Sequence, residues 1–129
     1  MNIHAGLLDL YASHLMDFKT GRVKSRNDIL GETKNSRGNE KRQLDFYRLL
    51  LDLYDDGRYK MTEGVILFTE PDEKGRIHKE QFTLGEEDRE RVKNLAVETA
   101  EKITTFSFWD ETCGKRDCEH CKLRNVLLN

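Results

Sequence analysis

The stretch Gly6–Gly21, GLLDLYASHLMDFKTG, decides how the rest of the chain is read. Residues 6–11 and 14–19 read as two short strands around Ala12-Ser13, and Gly21 ends the second. Side chains alternate between the faces of a strand, so Asp17 and Lys19 share one face while Met16 and Phe18 take the other. On the first strand Leu8 and Leu10 share a face, and Leu7, Asp9 and Tyr11 share the opposite one. A connection with an odd number of residues, for instance Ala12 to His14, sets Asp9 directly across from Asp17. It also gathers Leu8, Leu10, Met16 and Phe18 on one apolar face. A two-residue turn at Ala12-Ser13 would instead turn Asp9 away from Asp17.

In the first register two carboxylates stand about 5 Å apart, and like charges at that spacing repel. A divalent cation resolves the conflict: two hard carboxylates, with the backbone carbonyl of Phe18 between them, suit Mg²⁺ or Mn²⁺. Such an ion polarises a phosphodiester and activates water. Lys19 would flank it, where an ammonium orients the water or stabilises charge developing on phosphate. The plainer reading is an ordinary exposed Asp17–Lys19 strand pair, because D-x-K is a common spacing.

Downstream, residues 22–39 are polar and read as a loop longer than compact domains normally carry without a purpose. Lys19, Arg22, Lys24, Arg26, Lys34, Arg37, Lys41 and Arg42 make this span basic. From Asn39, a good N-cap, to Tyr54 the pattern is helical: Leu44, Tyr47, Leu51 and Tyr54 recur at spacings of three and four, and Gly57 supplies a stop. Residues 59–69 and 76–84 read as a hairpin, with Met61, Val65 and Leu67 alternating and the turn between Pro71 and Gly75. Thr83-Leu-Gly-Glu86 resembles a capping box that opens a helix of about twenty residues. Its apolar stripe is Val92, Leu95, Ala96, Thr99 and Ile103. The order is strand, strand, helix, strand, strand, helix and a tail over 106–129.

A chain of 129 residues suits one domain with a single core. A net charge of −2 gives no global attraction to nucleic acid, so any such contact depends on the basic span. No apolar run approaches the roughly 18 residues of a membrane span. Met1-Asn2-Ile3-His4 lacks the order of a secretory signal. Three cysteines, Cys113, Cys118 and Cys121, argue for reduced thiols or a bound metal rather than a disulfide framework. These features predict a cytoplasmic protein. The thiols, with His120 among them, have the density of a metal site and leave zinc or free thiols open. His14 and His78 read as surface strand residues.

Taken together, "MDFKTG" after an apolar strand, a basic loop and then "QLDFYRLLL" on a helix resemble the RecB-like branch of the PD-(D/E)XK nuclease superfamily. That family shows an apolar strand with Asp, a second strand ending D-[FY]-K-[TS]-G, and a helix with Q-L-x-x-Y. The matching residues are Gly6 and Asp9, then Asp17, Phe18, Lys19, Thr20 and Gly21, then Gln43, Leu44 and Tyr47.

The resemblance implies an α/β, restriction-endonuclease-like core with a mixed sheet of about four strands flanked by helices. It implies a metal-dependent DNA nuclease acting in DNA repair or recombination, commonly fused behind an ATP-dependent, UvrD-like helicase motor. Asp9, Asp17 and Phe18 would hold the metal, Lys19 would be the catalytic lysine, and Gln43 and Tyr47 would stand beside the active site. Cys113, Cys118 and Cys121 would join a fourth cysteine around a [4Fe–4S] cluster, although their spacing departs from the family's usual C-x2-C-x5-C.

The segment between the two aspartates is shorter than the family's, and its usual helix before the first strand has no counterpart after Met1. This predicts a partial, N-terminally truncated nuclease domain. It also keeps open an inactive DNA-binding or structural fragment, or a small metal-binding interaction domain. No Walker-type G-x-x-x-x-G-K-[ST] occurs, so an ATP-hydrolysing motor would be a separate domain or subunit.

Overall fold

A computed structural model describes residues 5–9 and 14–127, with side chains over 14–126. Two short strands come first, β1 (Ala5–Asp9) and β2 (His14–Lys19), followed by two helices, α1 (Arg26–Leu30) and α2 (Asn39–Leu53). Strands β3 (Glu63–Phe68) and β4 (His78–Thr83) precede helices α3 (Glu86–Thr104) and α4 (Glu119–Leu127). The strands form one mixed sheet in the order β1-β2-β3-β4, antiparallel at both outer pairs and parallel between β2 and β3. Parallel neighbours need a crossover connection, and α1 and α2 supply it. The α/β class and the mixed sheet of about four strands agree with the sequence reading.

Register and burial determine which face carries the site. Leu15, Asp17 and Lys19 of β2 lie level with Gly64, Ile66 and Phe68 of β3. These in turn pair with Phe82, Glu80 and His78 of β4. Leu15, Ile66, Phe68 and Phe82 from this face pack with Ile29 of α1 and Leu44 of α2, joined by Met61 and Leu84. Each such apolar side chain contributes roughly 1.5–3 kcal/mol on burial. Asp17 and Lys19 therefore sit on the face that α1 and α2 cover. Gly64 makes the approach of α2 possible, because a Cβ there would meet Leu44 Cδ1 at 2.8 Å.

Helix α2 spans nearly the range expected from its periodicity. The supposed loop over 22–39 is more ordered than its polarity suggested. Ser25 accepts a hydrogen bond from the Asp28 backbone N–H while the Asp28 side chain accepts from the Ser25 N–H, a capping box that opens α1. Gly31 and Gly38 then meet backbone to backbone at φ +80° and +64°, and a Cβ on Gly31 would lie 2.8 Å from Gly38 N. At the start of α3 it is Asp88, not Thr83, that closes the cap, accepting the Gly85 backbone N–H at 3.0 Å.

The expected alternation of β3 gives way to a central strand with Gly64, Val65 and Ile66 buried in succession. A strand with a neighbour on each side and a covering layer reads as a continuous apolar run. The chain divides into two compact units, Met1–Asn94 and Leu95–Asn129, with α3 running through the boundary. Among the described residues, no helix is long and apolar enough to cross a membrane.

Candidate active site and thiol cluster

Asp17 is completely buried. The strand alternation that points it beneath α2 also brings Lys19 to its side, with Lys19 Nζ 2.9 Å from Asp17 Oδ2 and the lysine side chain only 11% exposed. By distance this is an ion pair, yet neither Asp17 oxygen accepts a hydrogen bond of acceptable angle from any partner. A buried carboxylate without hydrogen bonds costs several kcal/mol, which a single nearby ammonium offsets only in part.

Helix α2 supplies the next layer. Lys19 donates through Nζ to Gln43 Oε1, and Gln43 donates through Nε2 to the Tyr47 hydroxyl at 2.7 Å. Gln43 and Tyr47 are four residues apart and so share a helix face. The phenol fixes the sense of the amide, because an oxygen that faces the lysine leaves the NH₂ facing Tyr47. Tyr47 itself packs, partly buried, against the core. Asp17, Lys19, Gln43 and Tyr47 thus form one connected chain of polar groups.

Asp9 behaves differently from the sequence expectation. In the β1–β2 register Gly6 is the partner of Asp17, and Asp9 is the partner of His14. Opposed residues share a face, so position 9 belongs to the alternation of His14, Met16 and Phe18 rather than that of Asp17. The physical reason is the pairing of Asp9 with His14, which leaves an even number of residues between the strands. The side chain of Asp9, and residues 10–13, lie outside the described residues. Phe18 is half-buried on the alternate face, and only its main-chain carbonyl could serve a metal beside Asp17.

Sequence reasoning overlooked Glu40. It stands three residues before Gln43 on α2, and Lys24 Nζ lies 2.5 Å from its Oε1. The signal was available, since 40, 43 and 47 fall at spacings of three and four. The unshared Oε2 of Glu40 is buried without a hydrogen bond.

In the second unit the sulfur atoms of Cys113, Cys118 and Cys121 all lie within 4.8 Å of one another. Cys113 Sγ and Cys121 Sγ are 3.6 Å apart. The Cys121 backbone N–H, followed by contact with the Cys113 thiol, pulls the Cys118 thiol down to about 7. At Cys113 the Lys115 N–H pulls downward, but the neighbouring thiols and burial outweigh it and the thiol moves up. His120 is not part of this cluster. Three converging thiols, one readily deprotonated, are a donor set for a soft metal.

The family model of the PD-(D/E)XK nuclease superfamily matches residues 11–126. No curated protein and no solved structure matches the chain.

Proposed function

Because this chain belongs to the PD-(D/E)XK nuclease superfamily, we propose that it is a nuclease module that hydrolyses DNA phosphodiesters with a divalent metal held at Asp17. The observation that carries this reading is the Asp17 carboxylate, fully buried and accepting no hydrogen bond, beside a lysine ammonium. Hard carboxylate oxygens left without donors fit Mg²⁺ or Mn²⁺.

Asp17 and the carbonyl of Phe18 would hold the ion, and Asp9 would join them if its side chain reaches the same point from the end of β1. Once bound, the metal would supply Lewis-acid polarisation of the phosphate and a lower pKa for the attacking water.

The chain's own residues do the rest. Lys19 places a positive charge where the phosphate gains negative charge, and it donates hydrogen bonds to an oxygen of the phosphate or of the attacking water. Gln43 holds that ammonium in place through its carbonyl, and Tyr47 prevents the amide from flipping. Covering by α1 and α2 lowers the local dielectric, which strengthens each of these interactions.

The finer setting of the proposal is a RecB-like nuclease in repair or recombination, working in the cytoplasm with a helicase motor domain or subunit. Cys113, Cys118 and Cys121 would hold an iron–sulfur cluster with a fourth ligand, or zinc, as a structural staple. Metal analysis after anaerobic purification tests that assignment, with iron or zinc expected in the wild type and lost in Cys118→Ser.

The test of the nuclease reading is Mg²⁺- or Mn²⁺-dependent cleavage of single-stranded DNA by the purified chain, beside Lys19→Ala. Cleavage by the wild type alone supports it. Cleavage that survives the substitution points to a contaminant, and cleavage by neither protein favours an inactive DNA-binding fragment.

A further inference from the structure

The basic span over residues 19–42 is mostly consumed by local contacts. Arg26 binds Glu80 at 2.9 Å and stacks 4.3 Å above the Phe82 ring, which fastens α1 to β4. Lys41 is held by Asp45 and Asp88 at 2.5 and 3.2 Å. Arg42 is engaged by Asn39, Lys24 by Glu40, and Lys19 by Asp17 and Gln43. Arg22 and Arg37, both exposed, have no hydrogen-bond or ion-pair partner among the described residues.

Those two arginines line the same cavity, of about 430 Å³, together with Lys24, Asn35, Ser36 and Asn39. The two carboxylates in its wall are already engaged. Glu40 is paired with Lys24, and Asp28 receives the Thr33 hydroxyl at 2.6 Å and caps Ser25. Helix α2 opens at this cavity from Gly38, which has no side chain to cap it, so its first N–H groups add positive potential. The cavity also adjoins the candidate active site along two elements. Arg22 is three residues past Lys19, and Glu40 is three residues before Gln43.

We propose that this cavity is a backbone-phosphate site, in which the guanidinium groups of Arg22 and Arg37 grip the sugar-phosphate chain of the DNA strand beside the bond to be cut. The ligand chemistry is a phosphodiester. Two planar guanidinium forks match its paired non-bridging oxygens, Asn35 and Ser36 offer neutral donors, and nothing in the wall reads a base. A chain of net charge −2 cannot draw in a polyanion by its overall field, so an uncompensated local pair is what binding requires. The proposal rests on the nuclease reading for the identity of its strand, but not for its test.

The experiment measures binding of a fluorescein-labelled single-stranded oligonucleotide by anisotropy, over a range of salt, in EDTA so that no cleavage chemistry operates. The double variant Arg22→Glu/Arg37→Glu is compared with wild type. A control carries Arg58→Glu, at the opposite end of α2, and circular dichroism checks the fold of each protein. The expected result is at least about a tenfold loss of affinity in the double variant, equal for unrelated sequences. The salt slope should become shallower by about one for each arginine removed.

Affinity unchanged in the double variant, or lost equally in the Arg58→Glu control, would overturn the proposal. Inorganic phosphate at matched phosphate concentration should fail to displace the oligonucleotide. Full displacement would reduce the cavity to a simple anion site and overturn it as well. Because binding is read without metal, a wild type that binds through these arginines but never cuts would defeat the nuclease reading and leave this one standing.

Discussion

Lys19 Nζ lies 2.9 Å from Asp17 Oδ2, yet the carboxylate it faces is fully buried and accepts no hydrogen bond. A charge pair held this way is poor as a structural element and suited to a ligand that brings its own positive charge. Removing only the lysine leaves an uncompensated buried charge, so Lys19→Ala should lose about 3 kcal/mol of stability, read from urea denaturation in EDTA. Adding Asp17→Asn should recover a substantial part of that loss, because the two residues are coupled. Additive losses would show that the pair does not interact energetically.

Gln43 and Tyr47 separate a positioning role from simple packing. Gln43→Ala removes the acceptor that holds the Lys19 ammonium and should slow cleavage by at least about tenfold, the worth of one hydrogen bond to a charged group. Tyr47→Phe keeps the ring in the core and loses only the group that orients the Gln43 amide, so its effect should be smaller. Both should act on kcat with little change in KM, and single-turnover cleavage at saturating DNA measures this directly.

Gly64 is an internal test of the fold. Its missing side chain is what lets Leu44 Cδ1 pack onto β3, and a Cβ would intrude to 2.8 Å. Gly64→Val should therefore destabilise the first unit by about 1–3 kcal/mol, the usual cost of overpacking. Shortening Leu44 to Val or Ala in the same protein should relieve some of it, as thermal denaturation of the single and double variants would show.

The β3–β4 turn carries a pH-dependent clamp. The Arg76 backbone N–H, then His78 and the other donors of the turn, hold the Asp72 carboxyl well below the usual carboxylate range. A carboxyl depressed in the folded state stabilises it fully above the unfolded value of 3.8 and loses that contribution as pH falls toward the folded value. The thermal midpoint of the wild type should drop through this acid window more steeply than that of Asp72→Ala. Parallel curves would remove Asp72 from the account.

Much of this architecture is written locally. Leu44, Tyr47 and Leu51 mark α2 by spacing alone, and Asp17 and Lys19 share a face because two residues along a strand must. Helix α1 was also legible, through Ser25 and Asp28, but the charge and glycine content of 22–39 hid it. What a one-dimensional reading could not supply is non-local pairing. Val65 and Ile66 are both buried because β3 runs parallel to β2, and nothing in β3 alone declares its neighbour. The partner of Asp17 on β1 depends on how many residues the turn uses, so both readings of Asp9 were open until Gly6 was seen opposite Asp17. The cavity of Arg22 and Arg37 was invisible for a related reason, since it depends on which of many cations find carboxylates.

The central claim is that Asp17 is kept buried and unsatisfied in order to ligate a divalent cation. Calorimetric titration of Mn²⁺ into the wild type and into Asp17→Asn tests it most directly, with circular dichroism to show that both are folded. The account predicts binding of one ion by the wild type and its loss in the variant. Equal binding by both proteins, or none by the wild type, would contradict it.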